Sequence, residues 1–281
     1  MSFKKVLGLA LIGATALLTQ ATAQEKSIKI ALEGAFPPWN TTLPSGEMAG
    51  FEVELSRNLC ERMKIKCILV QQDWDGLLPG LSLGKFDAVM DGISITDERR
   101  KVFTFSIPYA QEPNGFITDK DSPLAKLPGD GKIYNLDKNE AEAIKIIDEL
   151  KPYLKGKTLG VQTSTTHSRF IEKYMPNFAN IKQYKTTPEH DLDLAAGRVD
   201  LIIADRSIFR ASLETPALKN FKQTGPMFVG GIIGSGVGVA FAKGNDELKA
   251  KFDQAIKEAI ADGSMKALSE KWFKVSNTPE L

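Results

Sequence analysis

The most constraining feature of this sequence is an alternation of strand-like and helix-like segments over residues 28–90. Short apolar runs alternate with segments whose apolar side chains recur at helical spacing. In chain order, the segments are residues 28–32 (strand), 51–63 (helix), 67–70 (strand), 75–83 (helix) and 88–90 (strand). This β-α-β-α-β order predicts a parallel sheet with helices on both faces, and therefore an α/β fold class.

A second α/β unit is indicated further along the chain. Residues 84–87 and 197–200 share a glycine, basic, apolar, aspartate pattern, and each precedes a short apolar strand. In such sheets, ligands bind outside the carboxyl ends of the strands. Polar residues that fall at these positions are Asp91, Ser94, Thr165 and Asp205.

Three further helices are predicted outside these repeated units. Residues 137–140 read as a capping box, which would start a helix with one apolar face. The apolar positions of that helix are Ala143, Ile144, Ile147 and Leu150. Near the C-terminus, apolar spacing over residues 248–260 predicts an amphipathic helix that stops around Gly263, followed by a shorter helix over residues 265–272.

The N-terminus has the pattern of a secretory signal peptide. Lys4-Lys5 forms a basic start, residues 6–18 an apolar run, and Ala21-Thr22-Ala23 a cleavage site. The apolar run is too short to span a membrane. We therefore expect residues 1–23 to be removed. The residue directly after the cleavage point is not a cysteine, so it cannot carry a lipid anchor. The sequence predicts a soluble protein of the periplasm.

Charge and length narrow the partners of the mature chain. Loss of the signal removes two lysines and no acidic residue, so the formal net charge changes from +1 to −1. There is no basic surplus, and hence no indication of a nucleic-acid partner. Roughly 258 residues suit one large domain or two lobes. We find no nucleophile triad, metal cluster or phosphate loop, and predict neither a cofactor nor a metal.

The two cysteines, Cys60 and Cys67, are seven residues apart. In an oxidising compartment such a pair predicts a local disulfide. A metal site built on these two cysteines would lack other ligands, because the only histidines are His167 and His190.

The loop over residues 91–99 carries the chemistry of a binding site. Arg99 can grip a carboxylate through two parallel N–H bonds, and Ser94 can add a donor. Asp91 and the Gly92 carbonyl can accept hydrogen bonds from a cation. A zwitterion needs partners of both signs a few ångströms apart, and Asp205 ends a second strand. The loop therefore predicts a binding protein for a free amino acid.

Several motifs make the chain resemble the periplasmic basic amino-acid-binding proteins of ATP-driven importers. They are Gly50-Phe51-Glu52-Val53-Glu54-Leu55, Leu59-Cys60-Glu61-Arg62 with Cys67, Trp74-Asp75-Gly76-Leu77-Leu78-Pro79, Ser94-Ile95-Thr96 with Arg99, Gly160-Val161-Gln162, Ala196-Gly197-Arg198-Val199-Asp200 and the Leu268 to Phe273 terminus. The resemblance extends to lysine/arginine/ornithine-, histidine-, octopine- and nopaline-binding proteins and covers nearly the whole mature chain.

The resemblance implies a two-lobe periplasmic binding protein fold of type II. Each lobe would be a sheet flanked by helices, and two crossing strands would form the hinge. Residues 24–112 and 236–281 would make lobe 1, and residues 113–235 lobe 2. The protein would act as a monomer, close around its ligand, and then dock on an inner-membrane ABC permease.

The resemblance also implies how the ligand's amino-acid head is held. Arg99 would bind the α-carboxylate with help from Ser94 and Thr166. Asp205 would take the α-ammonium, assisted by Ser94 and the Gly92 carbonyl. The predicted contacts from the second lobe also include the two neighbours of Thr166, Thr165 and His167.

The ligand side chain would be held by aromatic and acidic residues. Phe36, Trp39 and Trp74 match the walls around the side chain, and Glu33 matches an acid for a distal cation, with Asp91 beside it. A neutral ligand would leave Glu33 buried and unpaired, at a penalty of several kcal/mol. A cationic amino acid such as arginine, lysine, ornithine or histidine is therefore predicted.

Two alternatives remain open. An opine is an arginine whose amine carries a second carboxylate-bearing arm, which would clash with Asp205, yet residues 35–40 and 129–153 look more like the opine receptors. Arogenate and cyclohexadienyl dehydratases share this fold, but their chemistry needs a positioned proton donor. Glu33 or His167 could serve only with an anionic ring substrate, which Glu33 disfavours. We therefore expect a binding protein and not an enzyme.

Overall fold

The computed structural model describes residues 27–279, so the predicted signal peptide lies outside the described residues. The strands are β1 (Ser27–Leu32), β2 (Ala35–Phe36), β3 (Asn40–Thr42), β4 (Met48–Ala49), β5 (Lys66–Gln71), β6 (Ala88–Val89), β7 (Phe103–Phe105), β8 (Asn114–Asp119), β9 (Ile133–Asn135), β10 (Thr158–Gln162), β11 (Asn180–Tyr184), β12 (Leu201–Asp205), β13 (Phe221–Val229) and β14 (Ala240–Ala242). The helices are α1 (Phe51–Met63), α2 (Trp74–Ser82), α3 (Asp97–Val102), α4 (Glu140–Leu154), α5 (Thr166–Tyr174), α6 (Thr187–Ala195), α7 (Arg206–Leu213), α8 (Asp246–Ala261) and α9 (Ser264–Phe273).

The first lobe is built on a five-stranded sheet with the order β5-β1-β6-β14-β7. Strand β1 pairs in parallel with both β5 and β6, with helices α1 and α2 as the crossovers. This confirms the predicted β-α-β-α-β unit. Strand β14 comes from late in the chain and pairs antiparallel with β6 and β7.

The second lobe is built on a six-stranded sheet with the order β11-β10-β12-β8-β13-β9. Strand β10 pairs in parallel with β11 and with β12, and β12 is the strand predicted after the repeated pattern at residues 197–200. Strand β8 lies antiparallel between β12 and β13. The molecule is therefore a two-lobe α/β protein.

The chain crosses between the lobes twice, after β7 and again after β13. The two crossing segments pair with each other: Tyr109 N donates to Val237 O, and Val237 N donates to Ala110 O, each at 2.9 Å. The C-terminal segment joins them, because Gln111 N donates to Asn277 O at 2.9 Å. We propose that the chain changes lobe near residues 112 and 235.

Helix α1 is anchored at both ends. It follows Gly50, whose φ of 129° and closeness to Trp39 exclude a side chain, since a Cβ would lie 2.4 Å from the Trp39 carbonyl oxygen. At its other end, Cys60 is bonded to Cys67 at the start of β5, across a Cα–Cα distance of 6.1 Å. The predicted disulfide is confirmed, and it fixes α1 against the sheet edge.

Loss of this disulfide should lower stability without changing the ligand site. For so short a loop, the chain-entropy model gives about 2–3 kcal/mol of stabilisation. We expect Cys60→Ser with Cys67→Ser to reduce the free energy of unfolding by that amount in urea titrations. The same titration of wild-type protein under reducing conditions is the control, and equal stability of the oxidised wild type and the double variant would contradict this prediction.

The predicted capping box at residues 137–140 is wrong in its register. Helix α4 begins at Glu140, with Asn139 in the N-cap position. The side chain of Asn135 accepts hydrogen bonds from the backbone N–H groups of Asp137 and Lys138, at 2.9 and 3.0 Å. These bonds hold residues 136–138 in a turn that is separate from the helix.

The same helix buries three of its four predicted apolar positions. Ile144 is 40% exposed, and Ile146 takes its place in the core beside Ala143, Ile147 and Leu150. The two C-terminal helices are confirmed as predicted, with Gly263 in a left-handed conformation between them. Within residues 27–279, no helix has both the length and the apolar character that crossing a membrane requires.

Candidate functional site

A cavity of about 450 Å³, counted with its solvent opening, lies between the two lobes. It is lined by Glu33, Phe36, Trp74, Asp91, Gly92, Ser94, Arg99, Gln162, Thr165, Thr166, His167, Thr187, His190, Ile203, Ala204 and Asp205. Every residue predicted to contact ligand lines this cavity except Trp39. The residues that the sequence reasoning did not include are Gln162, Thr187, His190, Ile203 and Ala204.

Arg99 is placed by the first turn of α3. The Thr96 hydroxyl accepts a hydrogen bond from Arg99 N at 3.2 Å, which caps the helix. The guanidinium is buried and donates to the Ser94 carbonyl oxygen at 3.0 Å. Burial and the nearby Arg169 lower the pKa of Arg99 to about 10, so it stays protonated at neutral pH. Among residues 27–279, no carboxylate forms an ion pair with it, so it can accept a ligand carboxylate.

Asp205 lies at the carboxyl end of β12, on the second lobe. Its Oδ1 atom accepts a hydrogen bond from Asn114 Nδ2 at 2.9 Å and lies 3.8 Å from His167 Nε2. Burial raises the pKa of Asp205 to about 7. A ligand ammonium would favour the ionised form and so lower that pKa.

Glu33 and Asp91 form an acidic pair on the first lobe. Asp91 Oδ1 accepts from Glu33 N at 2.8 Å and from Asn40 Nδ2 at 2.7 Å. Burial raises the pKa of Glu33 to about 7, and burial with two neighbouring carboxyls raises that of Asp91 well above its usual value. Glu33 Oε2 and Asp91 Oδ2 are buried and have no hydrogen-bond donor within residues 27–279. The pair is suited to accept several hydrogen bonds from a cation.

Glu52 supports this part of the site from inside the first lobe. It is fully buried on α1, and its Oε1 accepts hydrogen bonds from Gly92 N at 2.7 Å and from the Tyr109 hydroxyl. Its Oε2 accepts from Asn40 Nδ2 at 2.9 Å. Gly92 has a φ of +59°, and a Cβ there would lie 2.6 Å from a ring carbon of Phe36. Glu52 therefore fixes a loop position that only glycine can occupy without displacing an aromatic ring.

Two of the three predicted aromatic residues line the cavity. Phe36 and Trp74 do so, and Trp74 Nε1 donates across the lobes to the Thr163 carbonyl oxygen at 2.9 Å. Trp39 is fully buried behind Phe36, with its ring centroid 6.2 Å from that of Phe36. Its Nε1 donates to Ser207 Oγ at 2.9 Å, on the second lobe. In this structure Trp39 therefore supports the wall and bridges the lobes from outside the cavity.

The second lobe contributes the starts of two helices. The Thr165 hydroxyl accepts from Ser168 N at 3.1 Å and donates to Gln162 O at 2.8 Å, so it is used to cap α5. Thr166 and His167 begin that helix and are buried beside the cavity. On α6, Thr187 and His190 line the cavity.

The lobes are in contact around the cavity in this structure. Gln162 Nε2 donates to Glu33 Oε1 at 3.4 Å, and Arg169 forms an ion pair with Glu98 at the rim. These contacts connect the two lobes. Within the described part of the chain, no group of three or more His, Cys, Asp or Glu residues is arranged to hold a metal ion.

Comparison with known families identifies the family of this chain. A model of the bacterial extracellular solute-binding proteins, family 3, matches residues 28–275. The octopine-binding periplasmic protein of Rhizobium meliloti is 44% identical over 278 residues, which cover 92% of this chain and 94% of that protein. The L-arginine-binding protein of Pseudomonas aeruginosa is 34% identical over 271 residues, which cover 94% of this chain and 96% of that protein.

Solved structures agree with the two-lobe fold. An ancestral arginine-binding protein bound to arginine matches with a TM-score of 0.73 at 27% sequence identity. The match covers 88% of this chain and 98% of that one. These relatives are named as binding proteins. Their names agree with a cavity between two lobes that is lined by polar residues.

Proposed function

Because this chain belongs to the bacterial extracellular solute-binding proteins, family 3, we propose that it captures a cationic amino acid of the arginine type and delivers it to an ABC importer. It works in the periplasm, as a monomer, and carries out no reaction on the ligand. Arg99 holds the ligand carboxylate, Asp205 its ammonium, and Glu33 with Asp91 the cation at the end of its side chain.

The observation that carries this proposal is the pair of unsatisfied oxygens at Glu33 and Asp91. Both residues line the cavity beside Phe36 and Trp74, and neither oxygen has a donor within residues 27–279. A guanidinium there would donate to the acids while lying against the aromatic rings. A cation–π contact is worth about 2 kcal/mol when it is shielded from water. A neutral ligand would leave these acids unpaired or protonated.

Closure of the lobes gives the mechanism of capture. The ligand would first meet one lobe, and rotation about the two crossing segments would bring the other lobe onto it. Exclusion of water lowers the local dielectric, so each charged contact becomes stronger. The contacts of Trp74 with Thr163 and of Trp39 with Ser207 would form in this step. The closed protein would then be the form that the importer recognises.

An opine is the second candidate ligand, and the 44% identity to an octopine-binding protein favours it. Octopine has the same guanidinium as arginine, so the roles proposed for Glu33, Asp91 and Arg99 apply to both ligands. The two candidates differ at the ligand amine, near Asp205.

Calorimetry on ligand-stripped protein tests the proposed function directly. Arginine, lysine, ornithine, histidine, octopine and leucine should be titrated separately. We expect the guanidinium ligands to bind more tightly than leucine by at least a hundredfold, since a neutral side chain leaves a buried acid unpaired. Tighter binding of leucine would refute the roles given to Glu33 and Asp91.

Glu33→Gln should reduce the affinity for arginine by about 10- to 100-fold, because a hydrogen bond to a charged group contributes about 1.5–3 kcal/mol. Leucine should lose much less, since it makes no such bond. The matched control is Glu47→Gln, at a residue whose side chain is 67% exposed. If Glu33→Gln binds arginine as tightly as the control variant does, Glu33 is not a ligand residue.

A further inference from the structure

Arginine would leave two polar groups of the cavity unused. Its carboxylate, ammonium and guanidinium are taken by Arg99, Asp205 and the Glu33–Asp91 pair in the proposed function. Within residues 27–279, Nε2 of His167 and Nε2 of His190 remain buried without a hydrogen-bond partner. Both histidines line the cavity. A buried polar atom that stays unsatisfied is unfavourable, so a ligand group that reaches these nitrogens would bind more tightly.

His190 is oriented by a carboxylate behind it. Its Nδ1 lies 3.0 Å from Asp191 Oδ1, and the other Asp191 oxygen accepts a hydrogen bond from Ser212. The imidazole is fully buried, with its ring edge-on to Tyr184 at a centroid distance of 6.1 Å. The Nδ1 side of the ring is therefore occupied, which leaves Nε2 as the atom for a ligand.

His167 lies where a substituent on the ligand amine would enter. Its Nε2 is 3.8 Å from Oδ1 of Asp205, the residue proposed to hold the ammonium. Burial, with the neighbouring His190 and Arg99, lowers the pKa of His167 to about 3, so its imidazole is neutral and keeps one N–H.

Protonation of Asp205 would remove the repulsion expected between this residue and a second ligand carboxylate. Burial raises the pKa of Asp205 to about 7, and a second ligand carboxylate close to it would favour the protonated form further. A protonated carboxyl group is a hydrogen-bond donor. Asp205 can thus accept from the ammonium of arginine or donate to a carboxylate.

We propose that His167 and His190 form a subsite for a carboxylate-bearing arm on the ligand's α-amine. The cavity would then take N-carboxyalkyl derivatives of arginine, such as octopine, in addition to arginine itself. This inference rests on the proposed function, because it assumes that Arg99 and the Glu33–Asp91 pair hold the rest of the ligand.

The test compares the affinities for octopine, arginine and Nα-methyl-arginine in wild-type protein and in three variants, His167→Leu, His167→Gln and His190→Leu. His167→Leu removes the imidazole donor at similar volume, and His167→Gln restores a side-chain N–H. We expect His167→Leu to lower the ratio of octopine affinity to arginine affinity by at least tenfold, and His167→Gln to recover most of that ratio. Nα-methyl-arginine measures the effect of added bulk at the amine without a second carboxylate. Circular dichroism and arginine binding show whether each variant is folded.

The outcomes separate this inference from the proposed function. Wild-type protein that binds arginine but not octopine would overturn the subsite and leave the proposed function standing. An unchanged octopine-to-arginine ratio in both His167→Leu and His190→Leu would also overturn it. Failure of wild-type protein to bind any guanidinium ligand would instead refute the proposed function.

Discussion

Arg99→Met is expected to reduce the affinity for arginine on the order of 10²- to 10³-fold. Arg99 is 6% exposed in the wild type. Among the described residues it is the only arginine or lysine that lines the cavity. With methionine in its place, the ligand carboxylate would be buried without a cation. Breaking a buried ion pair by removing one partner costs about 3–5 kcal/mol, and each 1.4 kcal/mol is a tenfold change in affinity.

The neighbouring arginine provides a matched control for this experiment. Arg100 is on the same helix, but it is exposed to solvent. Arg100→Met makes the same chemical change to α3 and should leave the affinity within about twofold of wild type. Arg99→Lys should give an intermediate loss, because lysine keeps the charge but not the two parallel N–H donors. Calorimetry with arginine measures all three variants, and binding by Arg99→Met at the strength of Arg100→Met would exclude the proposed role.

The arrangement of Arg99 and Asp205 could be predicted from sequence because both follow from local rules. Asp205 ends a strand, and Arg99 lies in the first helical turn after the loop that follows another strand. Ligands bind at the carboxyl ends of such strands. The same rule identifies Gln162, the last residue of β10, which the sequence reasoning quoted in a motif but did not assign to the site. That residue was available from the sequence and was missed.

His190 and Glu52 were harder to find, because their roles depend on packing between distant segments. His190 is on α6, whose N-terminus is marked by the Thr186–Glu189 capping box. That signal gives the start of the helix but not the face that meets the cavity. Glu52 follows an apolar residue near the start of α1, where an acid is usual at a solvated helix N-terminus. Its burial results from contacts with Gly92 and Tyr109, which are 40 and 57 residues away in sequence.

Trp39 shows the limit of assigning wall residues from a resemblance in sequence. The segment around it contains two aromatic residues, and either could face the ligand. In the structure Phe36 lies at the cavity, while Trp39 stacks behind it and donates to Ser207 on the other lobe. A buried indole N–H needs a hydrogen-bond acceptor. The position of the Trp39 ring therefore depends on Ser207, which is 168 residues away in sequence.

Asp205→Asn is expected to reduce the affinity for arginine much more than the affinity for octopine. For arginine, the change leaves the ligand ammonium buried without a carboxylate, so we expect a loss on the order of 10²- to 10³-fold. For octopine, the secondary ammonium has fewer N–H donors and the second carboxylate lies close to the same side chain. Removal of the charge at residue 205 therefore relieves repulsion as it removes attraction, and the loss should be at least tenfold smaller. Equal losses for both ligands would contradict this reasoning.

The matched control is Asp200→Asn. Asp200 directly precedes the first residue of β12, and its side chain accepts a hydrogen bond from Thr158 N at 2.8 Å. An asparagine there can still accept that bond, so this variant should bind both ligands nearly as wild type does.

The pH dependence of arginine affinity gives a second test of the role of Asp205. Because burial raises the pKa of Asp205 to about 7 and arginine binds its ionised form, affinity should be full above that pKa and fall as the pH decreases through it. Glu33, whose pKa is also raised to about 7 by burial, contributes in the same direction. Asp205→Asn should therefore bind arginine with a shallower pH profile between about pH 8 and about pH 6, and an unchanged profile would mean that the ammonium is held elsewhere.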